Sequence, residues 1–64
     1  MAVNNEFKVG DFAEVETPNC DFNESEIVKI RKFSQCGKYA ICNTENGTRG
    51  VILKRWLIQT DKSF

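Results

Sequence analysis

Sixty-four residues make one domain, near the lower limit for a self-supporting core and with little room for an enclosed active site. Nine Lys and Arg balance nine Asp and Glu, which disfavours a generic basic nucleic-acid coat protein. His is absent, so the commonest general base and a common metal ligand are missing.

Residues 1–6 are polar and read as a frayed end, with no apolar run that would serve as a signal sequence or membrane span. Phe7-Lys8-Val9-Gly10-Asp11 reads as an entry turn. The first strand is residues 12–16, whose alternation puts Ala13 and Val15 on one face and Phe12, Glu14 and Glu16 on the other. Phe12 on the charged face is an anomaly that a covering segment or water must answer. Residues 17–25, TPNCDFNES, form the longest loop, with the only Pro, two Asn and an Asp. Phe22 in its middle either plugs the open end of the fold or meets a ligand.

Residues 26–33, EIVKIRKF, make the second strand, with Val28 and Ile30 inward and Lys29 and Arg31 outward. A helix competes there, but the β-branched residues and the Gln35-Cys36-Gly37 turn favour a strand. Tyr39 and Ile41 share one face of the third strand, Ala40 and Cys42 the other. Asn46-Gly47 marks a hairpin, expected as a type I′ turn with φ > 0 at both residues. Val51-Ile52-Leu53 is the fourth strand, with Ile52 the best core candidate. One helical turn near residues 53–56 precedes a fifth strand at residues 57–60, in which Leu57 faces the core. Residues 61–64 read as a tail. The expected fold is all-β, a small five-stranded barrel of a single domain over residues 1–64.

Cys20, Cys36 and Cys42 lack a Cys-x-x-Cys pair and have no zinc-ligand spacing, so reduced thiols in a cytoplasmic protein are expected, with no metal. Charge divides along the chain. Residues 6–26 hold seven acids and one base, and residues 29–55 hold seven bases and one acid. Either adjacent strands pair these charges across the sheet, or the surface is bipolar. Glu14 and Glu16 are a carboxylate pair without a nucleophile, phosphate loop or metal set beside them, so no catalytic residue and no cofactor is expected.

Gly50-Val51-Ile52-Leu53-Lys54-Arg55-Trp56-Leu57 resembles the SH3 segment Gly-Tyr-Ile-Pro-Ser-Asn-Tyr-Val. Lys38-Tyr39 falls where SH3 domains carry a Trp-Trp pair, and Ile41 where they carry a core Ala. Phe7-Lys8-Val9-Gly10-Asp11-Phe12-Ala13-Glu14-Val15 is similar to the opening of bacterial and phage SH3-like, KOW-like and Tudor-like barrels. The resemblance implies an SH3-like barrel. Carried over position by position, the peptide groove becomes Lys38, Leu53 and Trp56, and only Trp56 keeps an aromatic. Such small single barrels also resemble phage-encoded proteins that modify host machinery.

The leading expectation is a non-catalytic module that binds a larger protein through a groove between the 17–25 loop, the residue 34–37 turn and Trp56. Its binding residues would be Trp56, Arg55, Lys54, Lys38, Tyr39 and Phe22. Trp56 could instead be core. A nucleic-acid-binding barrel is the alternative, as the KOW-like and Tudor-like resemblance implies, using Lys29, Arg31, Lys38, Lys54 and Arg55 with stacking by Tyr39 and Trp56. A third possibility is a subunit that pairs through an exposed strand edge. No membrane partner is expected, and the chain reads as a monomer or weak dimer.

Overall fold

The computed structural model describes residues 7–64, and the frayed end expected at residues 1–6 lies outside them. The elements are β1 (Phe12–Val15), β2 (Ile27–Phe33), β3 (Tyr39–Thr44), β4 (Arg49–Leu53), a single 3-10 turn η1 (Lys54–Trp56) and β5 (Leu57–Gln59). All five strands pair antiparallel in one sheet, in the order β4-β3-β2-β1-β5. The all-β class, the strand at residues 26–33 and the helical turn before the last strand are as expected.

β4 and β5 are the two ends of the ladder, so the sheet is open and curled rather than closed. The chain crosses from one edge to the other through η1, which spends three residues turning and leaves only three for β5.

Alternation puts one face of every strand inside. Ala13, Val28, Ile30, Ala40, Cys42 and Leu57 are all 0% exposed, Val15 and Ile52 1%. A single sheet without a second layer can bury one face so completely only by curling around it. Phe7 and Phe22, both outside the strands, complete the same cluster. Phe22 is 1% exposed, so the loop aromatic is a core plug, and this removes it from the ligand-facing set. Ile41, aligned with a core Ala by resemblance, is only half-buried; the buried Ala of this strand is Ala40.

The hairpin between β3 and β4 departs from the expected type I′ turn. Thr44 N–H donates to the Thr48 carbonyl at 2.9 Å and Gly47 N–H to the Thr44 carbonyl at 3.0 Å, leaving residues 45–47 as a three-residue loop. Only Gly47 has positive φ, +93°; Asn46 does not. This is a type I turn closed by a left-handed Gly. Asn46 serves through its side chain instead, its Oδ1 accepting from the Thr44 and Thr48 hydroxyls. Gly47→Ala places a Cβ in open space but at a left-handed φ. It is expected to cost about 1 kcal/mol, read as a lower denaturation midpoint.

A bulge in β2 changes faces. Ile30 pairs with Cys42, but Lys32 pairs with Ile41 and Phe33 with Ala40, leaving Arg31 as the extra residue. Strict alternation would put Phe33 outward with Lys29. The bulge returns it to the inner side, where it packs against the core.

Candidate functional site

Residues alternating with the buried ones form the outer face of the sheet. Tyr39 stands directly opposite Leu53, and Ile41 directly opposite Val51. These four residues make a two-by-two apolar block on neighbouring strands. Tyr39 is 42% exposed and Val51 44%, while Ile41 and Leu53 are half-buried. Lys32 continues one row of the block on β2, opposite Ile41. The next row along the strands runs Phe12–Lys29–Asn43–Arg49 across four strands.

At the far end of the block lies an open groove of about 520 Å³, lined by Gly37, Lys38, Leu53, Lys54 and Arg55. The strand pairing produces it: Lys54 N–H donates to the Lys38 carbonyl at 3.0 Å, which brings the β2–β3 turn against η1. The Lys54 ammonium sits over the Phe33 ring at 5.1 Å from its centroid, which holds this cation at the groove. Lys38, Lys54 and Arg55 thus line this groove, and Tyr39 stands on β3 opposite its Leu53.

Trp56 is not gathered with them. It is half-buried and packed against the core, and it does not line the groove. Its backbone carbonyl accepts from Glu16 N–H at 2.8 Å, which ties η1 to the start of the long loop. Trp56 is therefore intermediate between the two roles weighed for it. The 17–25 loop does not line the groove either.

That loop docks on the edge of β4 instead. Asn19 Nδ2 donates to the Val51 carbonyl at 2.9 Å, and Val51 N–H donates to Asp21 Oδ2 at 3.1 Å. Two side chains thereby take the two edge groups that a neighbouring strand would take. The loop is braced for this: Asn19 Oδ1 accepts from the Asp21 and Phe22 N–H groups at 3.0 and 2.9 Å, and Phe22 anchors it in the core. Gly50 makes the contact possible, since a Cβ there would stand 2.5 Å from the Asp21 Cβ and 2.8 Å from its Cγ. Gly50→Ala is expected to lift the loop and cost about 1–3 kcal/mol. In an Asp21→Gly background most of that cost should disappear, as a double-mutant cycle by denaturant melts would read.

The basic residues of the nucleic-acid alternative are spread more widely. Lys29 lies on the outer face with its ammonium 5.7 Å from the Phe12 ring centroid, and Arg31 is exposed at the bulge. Lys38, Lys54 and Arg55 belong to the groove. Cross-strand charge pairing does not organise these residues. Lys29 stands opposite Phe12 and Asn43, Lys32 opposite Ile41, Arg49 opposite Asn43 and Glu14 opposite Ile27 and Ile58. Phe12, the aromatic on the charged face, is covered by Phe64, whose ring meets it edge-on at 5.0 Å.

Of the two carboxylates considered as a pair, Glu14 stands in the sheet opposite Ile27 and Ile58, and the exposed Glu16 follows the strand. Among the described residues no three His, Cys, Asp or Glu side chains come together to hold a metal ion. No helix among them is long and apolar enough to cross a membrane. Cys20, Cys36 and Cys42 are free thiols. The exposed Cys36 thiol is held below its ordinary range, first by the Ser34 hydroxyl at 3.3 Å and then by the Lys38 backbone. Burial pushes Cys42 up to about 12.

Sequence reasoning missed Val51, Ile41, Lys32 and Arg49 as surface residues of interest. For Arg49 and Val51 the signal was present, since alternation with buried Gly50 and Ile52 turns both outward. Comparison with protein families, curated proteins and solved structures found no significant match to this chain.

Proposed function

We propose that this chain is a non-catalytic protein-binding module of SH3-like architecture, acting on a larger partner through the outer face of β3 and β4 and the adjoining groove. The strand order, the long loop after β1 and the 3-10 turn before β5 support the SH3-like reading. The observation that carries the function is the apolar block. Tyr39, Ile41, Val51 and Leu53 are contiguous, outward-facing and rimmed by polar and charged side chains, the anatomy of a protein interface. The ligand-facing set becomes Tyr39, Lys38, Lys54 and Arg55 with Val51, Ile41 and Leu53 added, and Trp56, packed against the core, leaves it.

Nucleic acid is the second reading, favoured by the exposed Tyr39 beside Lys32 and Lys38. The mixture of four apolar residues with the cations argues for protein, since a stacking platform needs aromatic faces and phosphate-spaced charge. Selection of random displayed peptides on the chain, counter-selected on a Tyr39→Ser/Val51→Ser variant, tests the reading. Peptides that bind the parent and not the variant, with the variant's melting unchanged, are the expected result. A mixed-sequence single-stranded oligonucleotide that binds in place of any peptide would overturn it.

A further inference from the structure

Resting on that reading, we propose that the outer face of β3 and β4 takes an acidic partner segment that presents apolar side chains, docked on the face of the sheet and not added to its edge.

The charge of the partner follows from the residues around the block. The outward residues of β2, β3 and β4 are Ile27, Lys29 and Lys32 with bulged Arg31, then Tyr39, Ile41 and Asn43, then Arg49, Val51 and Leu53. They include four cations and no acid. At the groove end, Lys38, Lys54 and Arg55 add three more around Leu53. The nearest acid at the β4 edge is Asp21. It arrives from the inner side, against the missing side chain of Gly50, and its carboxylate is engaged by Val51 N–H. Cations therefore border the block on its β2 side and at both strand ends, Asp21 and Asn19 border it at the β4 edge, and the one acid on the outer face of the sheet, Glu14, stands on β1 opposite Ile27. A partner of opposite sign gains at these cations, and one of like sign is repelled there.

The mode of docking follows from the edge. On β4 the N–H and C=O of alternate residues point away from β3, and strand addition would have to use those of Val51 at the centre. Both are occupied by Asn19 and Asp21. The clasp is braced by Phe22, which is 1% exposed, so it does not open without disturbing the core. Side-chain contacts on the outer face leave it in place. This clasp also protects an open edge in the way natural sheets do, against pairing with a second copy.

Three labelled synthetic peptides of one length test this by fluorescence anisotropy: alternating Glu and Leu, alternating Lys and Leu, and alternating Glu and Ser. The Glu–Leu peptide should bind on the order of ten-fold more tightly than the Lys–Leu peptide, as a few rim ion pairs would give, and weaken with salt. The Glu–Ser peptide should bind least well of the acidic pair. The exposed charge reversals Lys32→Glu and Arg49→Glu together should abolish or invert the preference without changing the melting midpoint. Amide chemical shifts should move at Tyr39, Ile41, Val51 and Leu53, while slow exchange of the Val51 amide persists in the complex.

Equal binding of the Lys–Leu peptide at this face overturns the acidic inference and leaves the protein-binding reading standing. Loss of Val51 amide protection on binding overturns face-on docking in favour of strand addition. Binding of a mixed-sequence single-stranded oligonucleotide at this face, with neither Leu peptide bound, overturns both the inference and the reading beneath it.

Discussion

Phe22→Ala is expected to abolish the cooperative thermal transition of this domain. Phe22 lies in a loop whose composition is otherwise that of solvent-exposed turns, yet its side chain is 1% exposed and closes the core. Truncating a buried Phe costs about 3–5 kcal/mol in lost transfer energy and residual cavity. A core of this size rarely supplies more than about 3–5 kcal/mol in total. The loss is compounded, because the buried Phe22 ring anchors the loop whose Asn19 and Asp21 side chains hold the edge of β4. Phe22→Leu keeps most of the apolar volume and should retain a cooperative, lowered transition. An unchanged midpoint for Phe22→Ala would place this aromatic outside the core and reopen it as a ligand contact.

Ile52→Ala should be the second most damaging change, at about 2–5 kcal/mol. Ile52 is 1% exposed and faces Ala40, which is 0% exposed, across the β3–β4 pair. With Ala on both strands, no larger side chain at that pair can swing in to fill the space. Its chain neighbour provides the control. Val51→Ala, on a residue 44% exposed on the opposite face, should change stability by less than about 0.5 kcal/mol. Denaturant midpoints of the two variants, measured with the single Trp as probe, separate the two faces of β4. Equal midpoints would mean that the face assignment of this strand is reversed, and with it the apolar block on which the proposed binding rests.

What this sequence determined by itself depends on near neighbours, although the equally local type of the β3–β4 turn departed from the type I′ expectation. Alternation in FAEV and IVKI turned Ala13, Val15, Val28 and Ile30 inward, and the Gly47 turn joined β3 to β4. Leu57 was distinguishable from Trp56 as the core residue because alternation resumes after η1. Of the site, Lys38, Tyr39, Lys54 and Arg55 were legible because a hairpin necessarily brings the two ends of its strands together.

Tertiary structure alone decided the rest, because each feature rests on a contact between residues far apart in the chain. The bulge at Arg31, which returns Phe33 to the core, is a matter of how β2 pairs with β3. Nothing local to IRKF encodes it. The clasp of Asn19 and Asp21 on Val51 spans some thirty positions, and turn composition makes these residues look like ordinary loop polars. Phe64 covering Phe12 answers an anomaly that alternation could only raise. Trp56 ended between its two readings because η1 turns its side chain onto the rim of the core, a position set by where β5 joins β1. The apolar block emerged only once the register placed Ile41 beside Val51 and Tyr39 beside Leu53, since periodicity assigns a residue to a face but pairing decides which outward residues meet.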